Sequence, residues 1–416
     1  MRARLYEAIS GAESSDPQER RNFALHAISL TLTKVADGLI DPKIVLSWLV
    51  TALGAPAAFV GFLVPIREAG ALAPQLLIAP FVRAASVRKR YWAAGSVGQG
   101  LCVAGIAFVA LTMEGAAAGW AILALLGIFS LCRAVCSTSH KDVLGKTVKK
   151  STRGAATGVA GSLAATGTLL FGALLAAGII PRTVMALAVV IAVAGVVWVL
   201  AGLLFLRVEE DPSDVEDVDL FSPSALLAPL REDTQLRRFI AARALLVPTA
   251  LAPPFLIAMA AGENGEAGAL GPFILASALA SILSGYVWGR LSDKSSRWTF
   301  IAGGGLAAVV LGIAALVAMG AAPSLWVVTG LLFIAQIGYE GVRTARKIHL
   351  VDMADEDKRA VYTALSNTLI GFVLIAGGVL GVIAQAAGLG AALAVSSALC
   401  VAGVIAAFGL DEVQSE

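Results

Sequence analysis

Residues 184–206 read VMALAVVIAVAGVVWVLAGLLFL, a run without a charged side chain and with apolar residues on every face. A run of this kind crosses the roughly 30 Å hydrocarbon core of a bilayer as one helix, which takes about 20 residues. A spanning strand is excluded, because it would alternate apolar and polar residues, and only a helix bonds its own backbone in lipid. Outward from this run the chain shows twelve such segments, at 22–41, 55–82, 91–112, 117–137, 154–178, 183–206, 238–261, 267–289, 298–319, 324–342, 361–386 and 388–409. The predicted class is an all-α integral membrane protein with twelve transmembrane helices.

Composition agrees. Hydrophobic residues make up 58% of the 416 residues and charged residues 14%, too few charges to coat a soluble globule, and the mean hydropathy is +0.83. Lys and Arg number 31 against 29 Asp and Glu, spread in short clusters, which leaves no footprint for nucleic acid. Residues 1–20 are polar and carry no signal-peptide pattern, so the first span is expected to direct its own insertion. Asp16-Pro17-Gln18-Glu19 reads as its helix start, with Asp16 as N-cap. The four Cys all fall in spans and read as apolar fillers.

The N-terminus and five alternate loops hold 25 of the 31 Lys and Arg, whereas Lys43 and Arg182 alone fall in the loops on the other side. By the positive-inside rule both termini are cytoplasmic and the expected location is the cytoplasmic (inner) membrane, multi-pass. The longest polar stretch, 207–237, opens with an acidic cluster from Glu209 to Asp219 and separates six spans from six. The predicted organisation is a cytoplasmic N-terminus (1–21), a six-helix half (22–206), an acidic linker (207–237), a second half (238–410) and a short tail (411–416). An offset of 206 residues superimposes the halves: Lys141 is followed by Arg153 after span four, and Lys347 by Arg359 after span ten. Two parallel six-helix repeats suit alternating access.

The loop Gly289-Arg290-Leu291-Ser292-Asp293-Lys294-Ser295-Ser296-Arg297 resembles the cytoplasmic signature of the major facilitator superfamily, a Gly, Leu, Asp, basic, Gly, basic pattern. Gly289, Leu291, Asp293, Lys294 and Arg297 match; Ser296 replaces the second Gly, and the equivalent loop of the first half keeps Arg83 and Arg88-Lys89-Arg90 without the Asp. Together with twelve spans, a polar middle and the repeat, the resemblance covers essentially the whole chain. It implies a cytoplasmic gate in which Asp293 meets the start of span five near Ser151 to Gly154, with Arg153 and Arg359 in the paired loops. The physics is that of an anion at free helix N–H groups. Span five lacks the Gly-Pro of the superfamily's drug/proton antiporters, which weakens an efflux assignment.

Ionisable side chains inside a bilayer each cost at least about 2.5 kcal/mol and mark substrate or ion pathways. Span one holds His26, Lys34 and Asp37, with Thr33, Asp37 and Asp41 on the face of His26; span two holds the adjacent Arg67 and Glu68. At about 1.5 Å rise per residue, Lys34, Asp37, Arg67 and Glu68 fall near the middle of the bilayer. They are the candidate substrate and proton pathway: Glu68 or Asp37 for the proton, Arg67 or Lys34 for an anionic group. The alternative is two compensating ion pairs that only hold the first helices together. Arg133, Arg243, Glu340 and Arg343 are placed within about two turns of cytoplasmic helix ends, as gate or anchor. Asn367, with Ser366 and Thr363, offers hydrogen bonds at the start of span eleven. Cys132, Cys136 and His140 share a face, but along a helix the outer two are about 12 Å apart, too far for one metal. Gly154-xxx-Gly158 and Gly377-xxx-Gly381 fit close helix packing.

No catalytic motif is present in the sequence. The expected function is that of a secondary active transporter for a small solute, driven by a proton gradient without a cofactor, in the lipid bilayer and as a monomer. The competing class is a membrane sensor or assembly factor that keeps the fold and moves nothing, with the acidic stretch as docking segment.

Overall fold

A computed structural model describes residues 4, 6–7, 16–149, 152–212, 229–260, 270–320, 323–354 and 356–414, and among these there is no β-strand. Asp16 caps the first long helix, α1 (Pro17–Leu39), by accepting the Gln18 N–H at 2.9 Å, with Pro17 in the first turn where its missing N–H costs nothing. Span one does not end at residue 41. Pro42 has no N–H to continue the ladder, and the Asp41 carboxylate accepts the N–H groups of Lys43 (2.8 Å) and Ile44 (3.1 Å), which turns the chain into a second helix, α2 (Val45–Ala52). All of Val45 to Val50 is buried, so this apolar run belongs to the membrane domain and not to an outer loop.

Span two is also broken, into α3 (Ala57–Leu72), with Pro65 inside it, and α4 (Gln75–Arg83). Then follow α5 (Lys89–Thr112), α6 (Gly115–Thr147), α7 (Arg153–Ala176) and α8 (Val184–Phe205). Span seven is divided into α9 (Thr234–Leu245), α10 (Pro248–Leu251) and α11 (Pro253–Ala260). Pro248 lies 206 residues after Pro42, so both halves interrupt their first span at the same place. The remainder is α12 (Leu270–Lys294), α13 (Ser296–Met319), α14 (Leu325–Met353), α15 (Glu356–Gly377), α16 (Val379–Ala387) and α17 (Leu389–Ala407). Among the described residues ten stretches are long and apolar enough to cross a bilayer, and they coincide with expected spans three to twelve. Spans one and two are helical but lie outside that set, the first bearing Lys34 and Asp37 and the second Arg67 and Glu68.

The packing repeats with the sequence. In the first half α5 runs against α8 and α6, and α3 against α6; in the second, α13 runs against α17 and α14, and α12 against α14. The halves meet through α3 with α15 and α16, and through α7 with α12, two seams that exchange under the same offset. The side of the start of α1, of residues 209–210 and of residues 412–414 is called inner below.

Both seams are closed on the outer side, and the α7–α12 seam parts toward the inner side. On the outer side a Cβ on Gly61 would lie 2.4 Å from Gly381 Cα, one on Gly271 2.5 Å from Ala176 N, and one on Gly172 2.8 Å from the Ile274 side chain. Backbones come this close only because these residues are glycine. Gly154, Gly158, Ala165, Thr168 and Gly172 share one face of α7 by i, i+3/i+4 spacing, as do Ile274, Ser277, Ser281 and Gly285 on α12. Along those faces toward the inner side, a Cβ on Gly154, Gly158, Gly285 or Gly289 would meet no atom within 4 Å. The helix pair therefore touches outside and splays inside, an inward-open arrangement. Gly377 and Gly381 pack closely as expected, the first against Leu251 and the second against Gly61, whereas Gly154 and Gly158 face open space.

The inner ends are fastened within each half. Glu210, just past α8, accepts the N–H groups of Arg88 (3.1 Å) and Lys89 (2.7 Å) at the start of α5, with Lys146 Nζ 3.4 Å away. Glu209 pairs with Arg21, and its N–H and C=O bond the Asn22 side chain. In the second half Gln414, past α17, accepts the Ser296 N–H at 2.9 Å at the start of α13, and Ser295 bonds Glu412 at 2.5 Å. The start of the acidic stretch and residues 412–414 of the expected tail are thus built into the halves.

Candidate functional site

A cavity of about 430 Å³ lies between the halves, below the closed outer seams. Its uncharged wall is the shared face of α7 and α12, with Ala165, Thr168, Ser277, Ala278 and Ser281. Its charged wall comes from both halves: Asp37 from α1, Arg67 and Glu68 from α3, Arg133 from α6, and Glu340, Arg343, Arg346 and Lys347 from α14, with Asp41 and Lys43 at the outer end.

Asp37 is the centre of the first-half network. Its carboxylate pairs with Arg133 at 2.6 Å and with Arg67 at 2.8 Å, and the other arm of Arg67 reaches Glu68 at 2.9 Å. The exposures of these side chains are 17% for Asp37, 11% for Arg67, 30% for Arg133 and 32% for Glu68, so Glu68 and Arg133 meet the solvent of the cavity while Arg67 is enclosed. Asp37, Arg67 and Glu68 come together as predicted. Lys34 does not pair with Asp37; its Nζ turns to the Thr157 carbonyl at 3.5 Å. His26 is on the face of Asp37 but not in the cavity, since it is buried against the rings of His140 and Phe205 and bonds Thr147 Oγ1 at 2.8 Å.

Arg133, Glu340 and Arg343 are not anchors at the inner surface. By hydropathy spans four and ten end at 137 and 342, whereas α6 and α14 continue to Thr147 and Met353. Arg133 then sits about 21 Å from its helix end and Glu340 about 20 Å, depths that reach mid-bilayer. Glu340 accepts from Arg343 at 3.2 Å, from Ser281 Oγ on α12 at 3.3 Å and from Gln336 at 3.3 Å. Lys43 of the first half lies 3.4 Å over the ring of Tyr339 of the second, a cation–π contact that bridges the halves at the outer end.

Arg243, expected as a gate or anchor near an inner helix end, is buried at 6% exposure. It donates to Ser366 Oγ at 2.7 Å and to Asn367 Oδ1 at 3.0 Å, so Asn367 serves a contact between α9 and α15. Arg243 stands 206 residues after Asp37, at the corresponding place in the second half.

The gate residues of the resemblance lie on the open side. Gly289 faces open space and Lys294 is exposed. Arg297 donates to the Phe408 carbonyl at 2.9 Å; Arg153 donates to the carbonyls of Val148 at 2.8 Å and of Gly145. Each cation thereby meets the carbonyl end of a helix, where the dipole favours it. The side chains of Asp293 and Arg359, and residue 151 in the expected Asp293 contact, lie outside the described residues. Cys136 donates to the Trp92 carbonyl at 3.3 Å, a packing contact.

No protein-family profile matches the chain, and no curated protein matches it by sequence. Solved structures do match its fold. A nucleoside transporter, NupG, aligns over 93% of this chain and 99% of its own with a TM-score of 0.68 and 12% identity. A POT family transporter in complex with a thioalcohol-conjugated peptide aligns over 93% and 95% with a TM-score of 0.67 and 12% identity. The fucose:proton symporter FucP of E. coli aligns over 95% and 98% with a TM-score of 0.57 and 17% identity. This chain is a multi-pass membrane protein with the fold of major facilitator superfamily transporters.

Proposed function

We propose that this protein is a secondary active transporter that carries a small polar solute by alternating access and couples the movement to protons. The observation that carries the reading is the charged cavity between the two halves, closed outside by glycine contacts and open along the same helix faces inside. Its volume is in the usual range of about 300–1,000 Å³ for small-molecule sites. A scaffold that moves nothing has no use for ten ionisable side chains around a cavity inside the bilayer, where each is expensive. The likeness in fold to a nucleoside transporter and a fucose:proton symporter supports the same reading.

The working units are the halves 22–206 and 238–410, rocking about the site as a monomer, with both termini cytoplasmic and no cofactor beyond the ion gradient. Glu68 and Glu340 are the proton carriers. Each is held by one guanidinium and borders the cavity from opposite halves, whereas Asp37 is shared by two guanidinium groups. Proteoliposomes loaded with a pH-sensitive dye and challenged with pooled sugars, organic acids, amino acids and nucleosides test this. A substrate-dependent change of internal pH in wild type, lost in Glu68→Gln or Glu340→Gln, is expected. Folded protein that carries no pool would end the transporter reading, and carriage without a pH change would end the proton coupling.

A further inference from the structure

The four carboxylates of the cavity are all engaged by groups of the protein: Asp37 with Arg67 and Arg133, Glu68 with Arg67, Glu340 with Arg343, and Asp41 with backbone N–H groups. Six cations line the same space, and among the described residues Arg346 and Lys347 form no ion pair or hydrogen bond. Arg343, Arg346 and Lys347 share one face of α14 by their spacing. Beside them Arg243 is more than nine-tenths buried, touches only neutral oxygens through its two terminal nitrogens, and leaves its Nε without a partner. Arg243, Arg343 and Arg346 border one small pocket that continues the cavity, in which Glu68, already paired with Arg67, is the one acid.

A guanidinium removed from water and given only neutral partners is costly, and the cost is relieved when an anion completes its donor fork. In the first half Arg67 and Arg133 are neutralised by Asp37 and Glu68 and Lys43 lies over the Tyr339 ring, whereas Arg243, Arg346 and Lys347 of the second half lack both a counter-charge and a ring. We infer that Arg243, Arg346 and Lys347 form an anion subsite and that the transported solute is a small organic anion, a carboxylate or a phosphate ester, whose acidic group docks there. The inference rests on the transporter reading and names its substrate class. Of Arg67 and Lys34, the two residues the sequence offers for this role, Arg67 is occupied by Asp37 and Glu68 and Lys34 turns to the Thr157 carbonyl.

The experiment is calorimetric titration of the purified full chain with inorganic phosphate, succinate, glucose 6-phosphate and uncharged glucose. Counterflow in proteoliposomes is measured with the same compounds. Binding of at least one anion, weakened by at least about tenfold in both Arg243→Gln and Arg346→Gln, is expected. Arg346→Gln serves as the partly exposed variant that keeps the packing around Arg243, and its unfolding temperature is recorded beside that of wild type. Folded protein that binds none of the anions, or binds them equally after both substitutions, overturns the inference. Binding that is satisfied only by anionic lipid, measured in phosphatidylglycerol against phosphatidylcholine nanodiscs, also overturns it. Exchange of glucose without anion binding removes the anion subsite and leaves the transporter reading intact. An anion that binds at Arg243 but never exchanges keeps the subsite and removes the transporter.

Discussion

Gly61 of α3 and Gly381 of α16 touch backbone to backbone across the boundary between the halves, with no room for a Cβ on either. The contact is part of the wall that separates the cavity from the outer side, and it makes that wall dependent on two hydrogen atoms.

Gly61→Leu and Gly381→Leu are expected to force the outer seam apart. Overpacking of this kind costs about 1–3 kcal/mol in the closed-outside state. A cysteine introduced at Ser277 in the cavity wall then reacts faster with a membrane-impermeant maleimide added from outside. Unchanged labelling would show that closure does not depend on this pair.

The opposite end of the second seam behaves in the reverse way. Gly158 and Gly285 have open space around them, so Gly158→Leu and Gly285→Leu leave the stability of this state essentially unchanged, within about ±0.5 kcal/mol, as read by thermal unfolding. The same substitutions block closure inside, so counterflow falls while folding is retained. Full transport activity would mean that α7 and α12 do not meet there in the cycle.

Asp37→Asn removes the counter-charge of two guanidinium groups at once. Breaking a buried pair costs about 3–5 kcal/mol, and the cavity solvent that reaches Arg133 lowers the figure toward the bottom of that range. Glu68→Gln, at a side chain 32% exposed and with one partner, costs about 1 kcal/mol or less. Denaturation of the two variants in detergent checks the order; equal stability would show that Asp37 is not the structural centre of the network.

Glu210→Ala exposes two N–H groups at the start of α5, and Gln414→Ala exposes one at the start of α13. Each is expected to cost about 0.5–2 kcal/mol, the first more than the second. Thermal unfolding of the two variants and their combination provides the measurement, with additive losses for sites in different halves.

The spans were legible because lipid demands an uninterrupted apolar run, and the charges inside them pointed to Asp37, Arg67 and Glu68. What stayed hidden was depth. Polar helix extensions such as residues 138–147 of α6 look like loop in hydropathy, so Arg133 was placed near a surface and Arg243, in a half-polar helix, beside it. Asp41-Pro42 reads as a helix end, and only the bonds from Lys43 and Ile44 show that it is a joint. The partners of Arg243 are 123 and 124 positions away, beyond any periodicity.

Glu210 and Gln414 each buckle the last span of a half to the beginning of its third, on the inner side. Each half is thereby a closed mechanical loop. A twist imposed at the cavity cannot be relaxed by unreeling the last helix of either bundle, so it passes to the two seams.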